Sequence, residues 1–190
     1  PKLRLILQVI IILLFIFLLN ISEIKTNIIL LDNLLSNYYF FAILFTSFCF
    51  LIIINGSNFI DGINTLTIGY YLSLLFALRT IEFNSSYLYI LLIDNHFIII
   101  LFYIFILNFF NKIFLGDSGA YLISLLFAYL LVDIHINNLF ISPYYIVLLL
   151  WYPGFENLFS IIRKYKFKKS PIKPDINHFH QLLFFYLSQN

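Results

Sequence analysis

Asn55-Gly-Ser-Asn58-Phe-Ile-Asp61-Gly62-Ile-Asn64 is a polar island in an apolar sea: residues 38–54 before it and 63–78 after it carry no charge. One carboxylate and three carboxamides at such a junction are costly in hydrocarbon. They therefore point to a protein-lined, watery cavity. The same residues also suit a polar turn at a membrane surface, where Asn, Asp and Gly are ordinary. Both readings stand on this stretch alone.

The composition decides the class. The chain is 62% hydrophobic and 11% charged, with mean hydropathy +0.97, whereas soluble domains are about a quarter charged. A soluble compact domain is excluded, and the apolar runs are too many and too long for a signal peptide ahead of one. The fold expected is all-α, a polytopic transmembrane helical bundle. Cys49 is the single cysteine, so no intrachain disulfide is available and a packing role is expected. The net charge of +2 gives no reason to expect a nucleic-acid partner. The sequence starts at Pro1 and contains no methionine, which reads as a fragment or a processed chain.

A membrane-crossing helix needs about 20 mainly apolar residues. Runs at 5–19, 38–54, 63–79, 97–110, 120–132 and 139–160 predict about six spans. The sixth holds Pro143 and Pro153-Gly154, where missing backbone donors favour a kink or break. Residues 20–37 read as a polar connection, and Tyr87–Ile93 is too short to span, so Thr80–His96 reads as interfacial. With six spans, nine basic residues fall on one side (Lys2, Arg4, Lys112, Arg163, Lys164, Lys166, Lys168, Lys169, Lys173) and two on the other, Lys25 and Arg79. That asymmetry makes the first side cytoplasmic.

Three polar clusters then meet on the cytoplasmic face: the Asn55–Asn64 island, Gly116-Asp117-Ser118-Gly119, and Pro174-Asp175-Ile-Asn-His178-Phe-His180-Gln181. Carboxylate and carboxamide oxygens suit hard cations such as Mg²⁺, which keep waters and bind substrate phosphates. The glycine-flanked Asp117 turn opens a helix, where free N–H groups favour an anion. Asp117 or Ser118 could equally cap that helix. The two histidines beside basic residues suit a diphosphate, or form a solvated basic loop facing anionic headgroups. The spacing matches no usual structural zinc site. The sum is phosphate chemistry on a lipid-borne substrate at a membrane surface.

Asn55-x-x-Asn58-x-x-Asp61-Gly62-x-Asn64, Phe114-Leu-Gly116-Asp117-Ser118-Gly119 and Pro174-Asp175-x-x-His178-x-His180 resemble, in order and on one side, motifs of the polyprenyl-phosphate N-acetylhexosamine-1-phosphate transferases of glycosyltransferase family 4. Tyr152-Pro153-x-Phe155-Glu156-x-x-Phe159-Ser160-Ile-Ile-Arg163 looks like that family's last span before its His loop. The resemblance covers essentially all 190 residues as one integral-membrane domain.

It implies transfer of a HexNAc-1-phosphate from a UDP-N-acetylhexosamine to undecaprenyl or another polyprenyl phosphate, with release of UMP, to start a cell-envelope glycan. By this resemblance Asp61 and Asp117 are catalytic, and Asn58 and Asp117 ligate Mg²⁺, with Mn²⁺ as a substitute. Asp61 would order the loop or meet substrate near the metal. Asn55 and Asn64 would bind substrate, Asn64 at the uracil, while Arg163, His178 and His180 would hold diphosphate or sugar. The implied location is a multi-pass protein of the inner (plasma) membrane with a cytoplasmic active site, compatible with a homodimer.

Departures are also legible. Asn64 and Thr65 stand where many members have Asp and Gly, and Gln181 stands where a third His often follows. That pattern is closer to the N-acetylhexosamine branch than to the muramoyl-pentapeptide branch. The family's Asp-Asp pair is absent, yet Pro1-Lys2-Leu3-Arg4-Leu5-x-x-Gln8 resembles the segment just downstream of it. The expectation is a chain incomplete at both ends, inactive as these 190 residues although its parent is active. Two other classes were weighed: a transporter subunit, which should place polar groups near mid-span, and a non-catalytic scaffold descended from such an enzyme.

Overall fold

The island residues Asn55 and Asn58 do not form a turn. They continue a helix that runs unbroken from Tyr39 to Ile60. The polar side chains allow this because they fold back on their own carbonyls. Asn55 Nδ2 donates to Leu51 O at 2.9 Å, and Ser57 Oγ donates to Ile53 O at 2.8 Å. The helix stops at Asp61, whose N–H bonds Ser57 O, just ahead of Gly62.

The computed structural model describes residues 2–19, 21, 24–80, 95–138, 140–168 and 178–189. Among them the helices are α1 (Lys2–Leu18), α2 (Ile29–Asn37), α3 (Tyr39–Ile60), α4 (Leu66–Arg79), α5 (Asn95–Phe109), α6 (Gly116–Asn137), α7 (Pro143–Leu149), α8 (Trp151–Lys166) and α9 (Phe179–Ser188). No strand occurs among the described residues. The expected polar connection at 20–37 contains α2, whose Asp32 accepts from Thr26 N–H and Oγ1, both at 2.7 Å. Tyr87–Ile93 lies outside the described residues.

Each of the six apolar runs contains a helix. By length and composition α3 and α6, 22 residues each, are long and apolar enough to cross a membrane. The α7–α8 pair, bent by 76°, makes a third if it counts as one span. Leu3–Leu18, α4 and α5 are shorter apolar helices. The count of spans is thus two to three by this measure, against about six expected. Large apolar side chains cover the outside; Phe40 and Phe102 are both exposed, as lipid-facing residues are.

Helix α6 is the axle of the bundle. One of its faces packs Phe127, Leu130 and Leu131 against Tyr71, Leu75 and Leu78 of α4 and Leu101 of α5. Its other face places Ala128 and Tyr129 with Ile12 and Ile16 of α1 and Phe50, Ile53 and Ile54 of α3.

The break in the sixth run falls at Leu150 and not at the proline. Pro153 consequently sits in the first turn of α8, where a missing N–H is tolerated. The carbonyl four residues back, Leu149 O, accepts instead from the Tyr70 hydroxyl. Pro143 likewise opens α7, where Ser142 Oγ accepts from Tyr144 N–H at 3.3 Å.

Helix α8 lies antiparallel against the end of α3. Asn157 Nδ2 donates to Ile52 O at 2.9 Å, while Gly56 faces Pro153 so closely that a Cβ there would stand 1.8 Å from Pro153 O. Glycine at 56 is what lets the two backbones meet. The face of α8 toward the protein is polar (Glu156, Asn157, Ser160, Lys164), whereas Trp151, Phe155, Leu158 and Ile162 point outward. This inverts a soluble helix and suits a lipid surround.

Candidate active site

The ends of α1, α3 and α6 form an acidic corner. On α3, Asn55, Asn58 and Asp61 recur every three residues and so share a face. Asn58 makes no hydrogen bond to other described residues, which leaves its carboxamide available. The α6 start comes up beside Asp61. Gly116 takes φ +64°, a conformation glycine adopts without penalty, and no side chain caps α6. The capping reading of Asp117 and Ser118 is therefore not realised. Asp117, in the first turn, instead accepts from Arg4 Nη1 at 2.7 Å, and the Arg4 guanidinium lies 5.6 Å from the centre of the Tyr121 ring.

Asp61 and Asp117 are close enough to repel. Burial pushes the Asp61 carboxyl up to about 6 and the charge on Asp117 adds to the rise, while the Thr67 hydroxyl and the Gly116 amide draw it back. Thr67 acts from outside good hydrogen-bond geometry: its Oγ1 is buried with no partner. Two carboxylates in mutual repulsion with the Asn58 carboxamide beside them are an all-oxygen donor set. Such a set fits a hard divalent cation that completes its shell with water and phosphate oxygens. Among the described residues no group of three His, Cys, Asp or Glu gathers round one point, so the chain alone would not cage a cation.

The turn after Asp61 is braced from α5. Asn64 Nδ2 donates to Asn111 Oδ1, and Thr65 N–H donates to Asn108 Oδ1. Buried Asn108 in turn donates Nδ2 to Ile113 O at 2.8 Å. Thr65 sits at φ 71°, a region a β-branched residue rarely occupies. A glycine at this position would take the conformation without penalty.

The third cluster docks onto the first. His178 stacks on Phe59 with ring centres 4.8 Å apart, and His180 lies parallel to His178 at 6.0 Å. His180 covers Gly62: a Cβ at that glycine would be 2.9 Å from His180 Nε2. Both His180 ring nitrogens are buried without a partner among the described residues, and burial holds this imidazole below its usual pKa, so it is neutral near pH 7. Beneath the pair, Glu156 accepts from His178 Nδ1 at 3.1 Å and from Phe179 N–H at 2.8 Å.

The structure thus brings Asn58, Asp61, Asp117, His178 and His180 to one end of the bundle, with Asn64 tied to α5 beside them. Asn55 is one turn deeper and uses its amide on Leu51. Arg163 is two turns beyond Glu156 on the same face of α8, about 10 Å along the axis, with its guanidinium 5.4 Å from the Phe159 ring centre. Pro174 and Asp175 lie outside the described residues. Four participants escaped the sequence reading as site residues: Arg4, Asn108, Asn111 and Glu156. A lone carboxylate on the face of α8 that Pro153 and Asn157 share was the available signal for Glu156.

No curated protein and no solved structure matches the chain. Residues 1–135, which hold the Asn55–Asn64 and Gly116–Gly119 motifs but not the histidines, match the family described as Glycosyl transferase family 4. With well over half its length matched, the chain belongs to glycosyl transferase family 4.

Proposed function

We propose that this membrane transferase moves a HexNAc-1-phosphate from a UDP-N-acetylhexosamine to a polyprenyl phosphate, releasing UMP, on the cytoplasmic side of the inner membrane. Family membership supports a membrane transferase that passes a phosphosugar to a lipid phosphate. The observation that carries the finer reading is the meeting of Asp61 and Asp117 under the docked His178–His180 pair.

In the reaction an oxygen of the lipid phosphate attacks the sugar-bearing phosphorus. The bond to the bridging oxygen breaks, and UMP leaves with that oxygen. Catalysis here is mostly positioning and charge neutralisation. Mg²⁺ or Mn²⁺, when bound, supplies Lewis acidity and screens the charge of the diphosphate. Asp61, Asp117 and Asn58 are the residues that would hold it. The free N–H groups at the start of α6 face the same corner and can donate to a phosphate oxygen. Neutral His180 can donate one hydrogen bond and accept another from the sugar or diphosphate. His178 would meet the same ligand, and Asn64, held by Asn111, would read the uracil. Arg163 would join from α8 by a shift of its side chain.

Asp61 and Asp117 sit at helix ends and not at mid-span. This favours surface chemistry over solute transport.

The test is cation-dependent exchange of labelled UMP into UDP-HexNAc, in membranes carrying the protein, alongside Asp117→Asn. Exchange in the wild type alone is expected. No exchange with any UDP-HexNAc, in folded protein supplied with lipid phosphate, overturns the reading; solute flux abolished by Asp117→Asn would replace it with transport.

A further inference from the structure

Glu156 is a carboxylate with almost no access to solvent: its side chain is 2% exposed, and that of its partner His178 is 6% exposed. Charges in such places persist when they are paired and their lone pairs are used. Both Glu156 oxygens are used. Oε2 accepts from His178 Nδ1, and Oε1 accepts from the Phe179 N–H at the start of α9. Because a carboxylate only accepts, Nδ1 of His178 must be the donor. Nε2 is then the nitrogen left for a ligand. Phe59 stacks on the ring and fixes its plane.

The same contact decides where His180 goes. It stands two residues into the segment that Glu156 anchors, over Gly62, with both ring nitrogens unpartnered. Glu156 itself is held in register by the Gly56–Pro153 approach and by Asn157 on Ile52 O. The chain of contacts therefore runs from α3 through α8 to the histidines.

We propose that Glu156 is the positioning residue of the donor-phosphate site: it sets the His178 tautomer, anchors the start of α9 and so holds His180 over Gly62. This rests on the transferase reading for its ligand, the diphosphate of a UDP-sugar. Glu156 does not touch the reacting atoms. The carboxylate fixes the proton on Nδ1 and would balance the charge of an imidazolium that donates through Nε2 to a phosphate oxygen. The titratable groups facing the pair are His180 on α9 and Tyr152 on α8; α3 contributes only the Phe59 ring.

The experiment uses the full-length protein and Glu156→Gln. The Gln carbonyl still accepts the Phe179 N–H, so α9 still starts and thermal stability stays near wild type. The KM for UDP-HexNAc is expected to rise about 10- to 100-fold, with the KM for polyprenyl phosphate unchanged. Unchanged donor KM in Glu156→Gln overturns the proposal and leaves Glu156 as a helix cap. A second readout needs no turnover: the ¹⁵N signals of His178, in histidine-labelled protein. An Nδ1-protonated ring that is lost in Glu156→Gln supports the proposal, and an Nε2-protonated ring in the wild type overturns it. If the wild type exchanges no UMP, the transferase reading fails while the ¹⁵N result still judges the clamp.

Discussion

The two halves of the site handle charge in opposite ways. In the acidic corner Arg4 and Asp117 form an ion pair whose side chains are 49% and 60% exposed, and Asp61 is left in repulsion with Asp117. In the histidine corner Glu156 and His178 are buried and bonded. The acidic corner is therefore an unfinished arrangement that a cation and a phosphate would complete. The histidine corner is a finished scaffold that aims its rings. An exposed pair can dissolve when ligand arrives because it is worth little, whereas a buried one holds because breaking it strands a charge.

The sharpest way to break this contrast is Asp117→Asn. Loss of a charged ligand from the corner is expected to lower UMP exchange roughly a thousandfold or more. Stability should barely change, and thermal unfolding in detergent checks that. A comparable loss of stability would mean that the acidic corner is structural as well.

Next comes a paired measurement of stability. Glu156→Ala strands the His178 Nδ1 proton and the Phe179 N–H and is expected to cost about 2–4 kcal/mol. Arg4→Gln removes only the exposed pair and should cost less than about 1 kcal/mol. Denaturant or thermal midpoints for the two variants would reverse the contrast if Arg4→Gln proved the more damaging.

A pH titration sharpens it further. Asp61 titrates at about 6, raised above its ordinary value chiefly by burial. In the proposed site its carboxylate form would be the cation ligand, so Mn²⁺ affinity should rise up to about pH 6 and level off above, by up to about tenfold per unit below it. The sign for stability is the reverse. A raised carboxyl pKa favours the folded state at low pH, and that contribution is lost as pH rises to about 6. In cation-free protein above that pH, Asp61→Asn is expected to stabilise by about 1 kcal/mol, after allowance for its partial exposure. Mn²⁺ binding that is flat from pH 5 to 8, roughly the window of interest, would remove Asp61 from the donor set.

The smallest effect is expected at Thr65. Thr65→Gly relieves the φ 71° conformation at the expense of unfolded-chain entropy, for a net gain of about 0.5 kcal/mol. A loss would show that the Thr65 side chain braces the turn.

Much of this was legible beforehand. Apolar runs without charge foretold the helices, because burial in lipid demands internally bonded backbone. Gly62, Asp61 and Asp117 stood out because polar groups beside such runs are expensive and therefore few. What the pattern did not show was helical continuity through Asn55 and Asn58: the bonds of Asn55 and Ser57 to carbonyls four residues back accompany an α3 that runs on where a turn was one of two open readings. Nor did it show that Pro153 would sit safely inside α8, with Tyr70 of α4 satisfying the carbonyl it orphans.

The sequence by itself determined the class of the molecule, an all-helical membrane protein, and the residue types able to meet a cation and a phosphate. Hydropathy and side-chain chemistry are local properties that survive in a linear string. Only the tertiary structure decided which of those residues meet. Arg4 reaches Asp117 across 113 positions, Asn157 reaches Ile52 across 105, and Glu156 finds His178 across 22. Pairings at such separations depend on the register between helices, and that of α3 against α8 is set where a bare glycine at 56 meets Pro153, which no local pattern encodes.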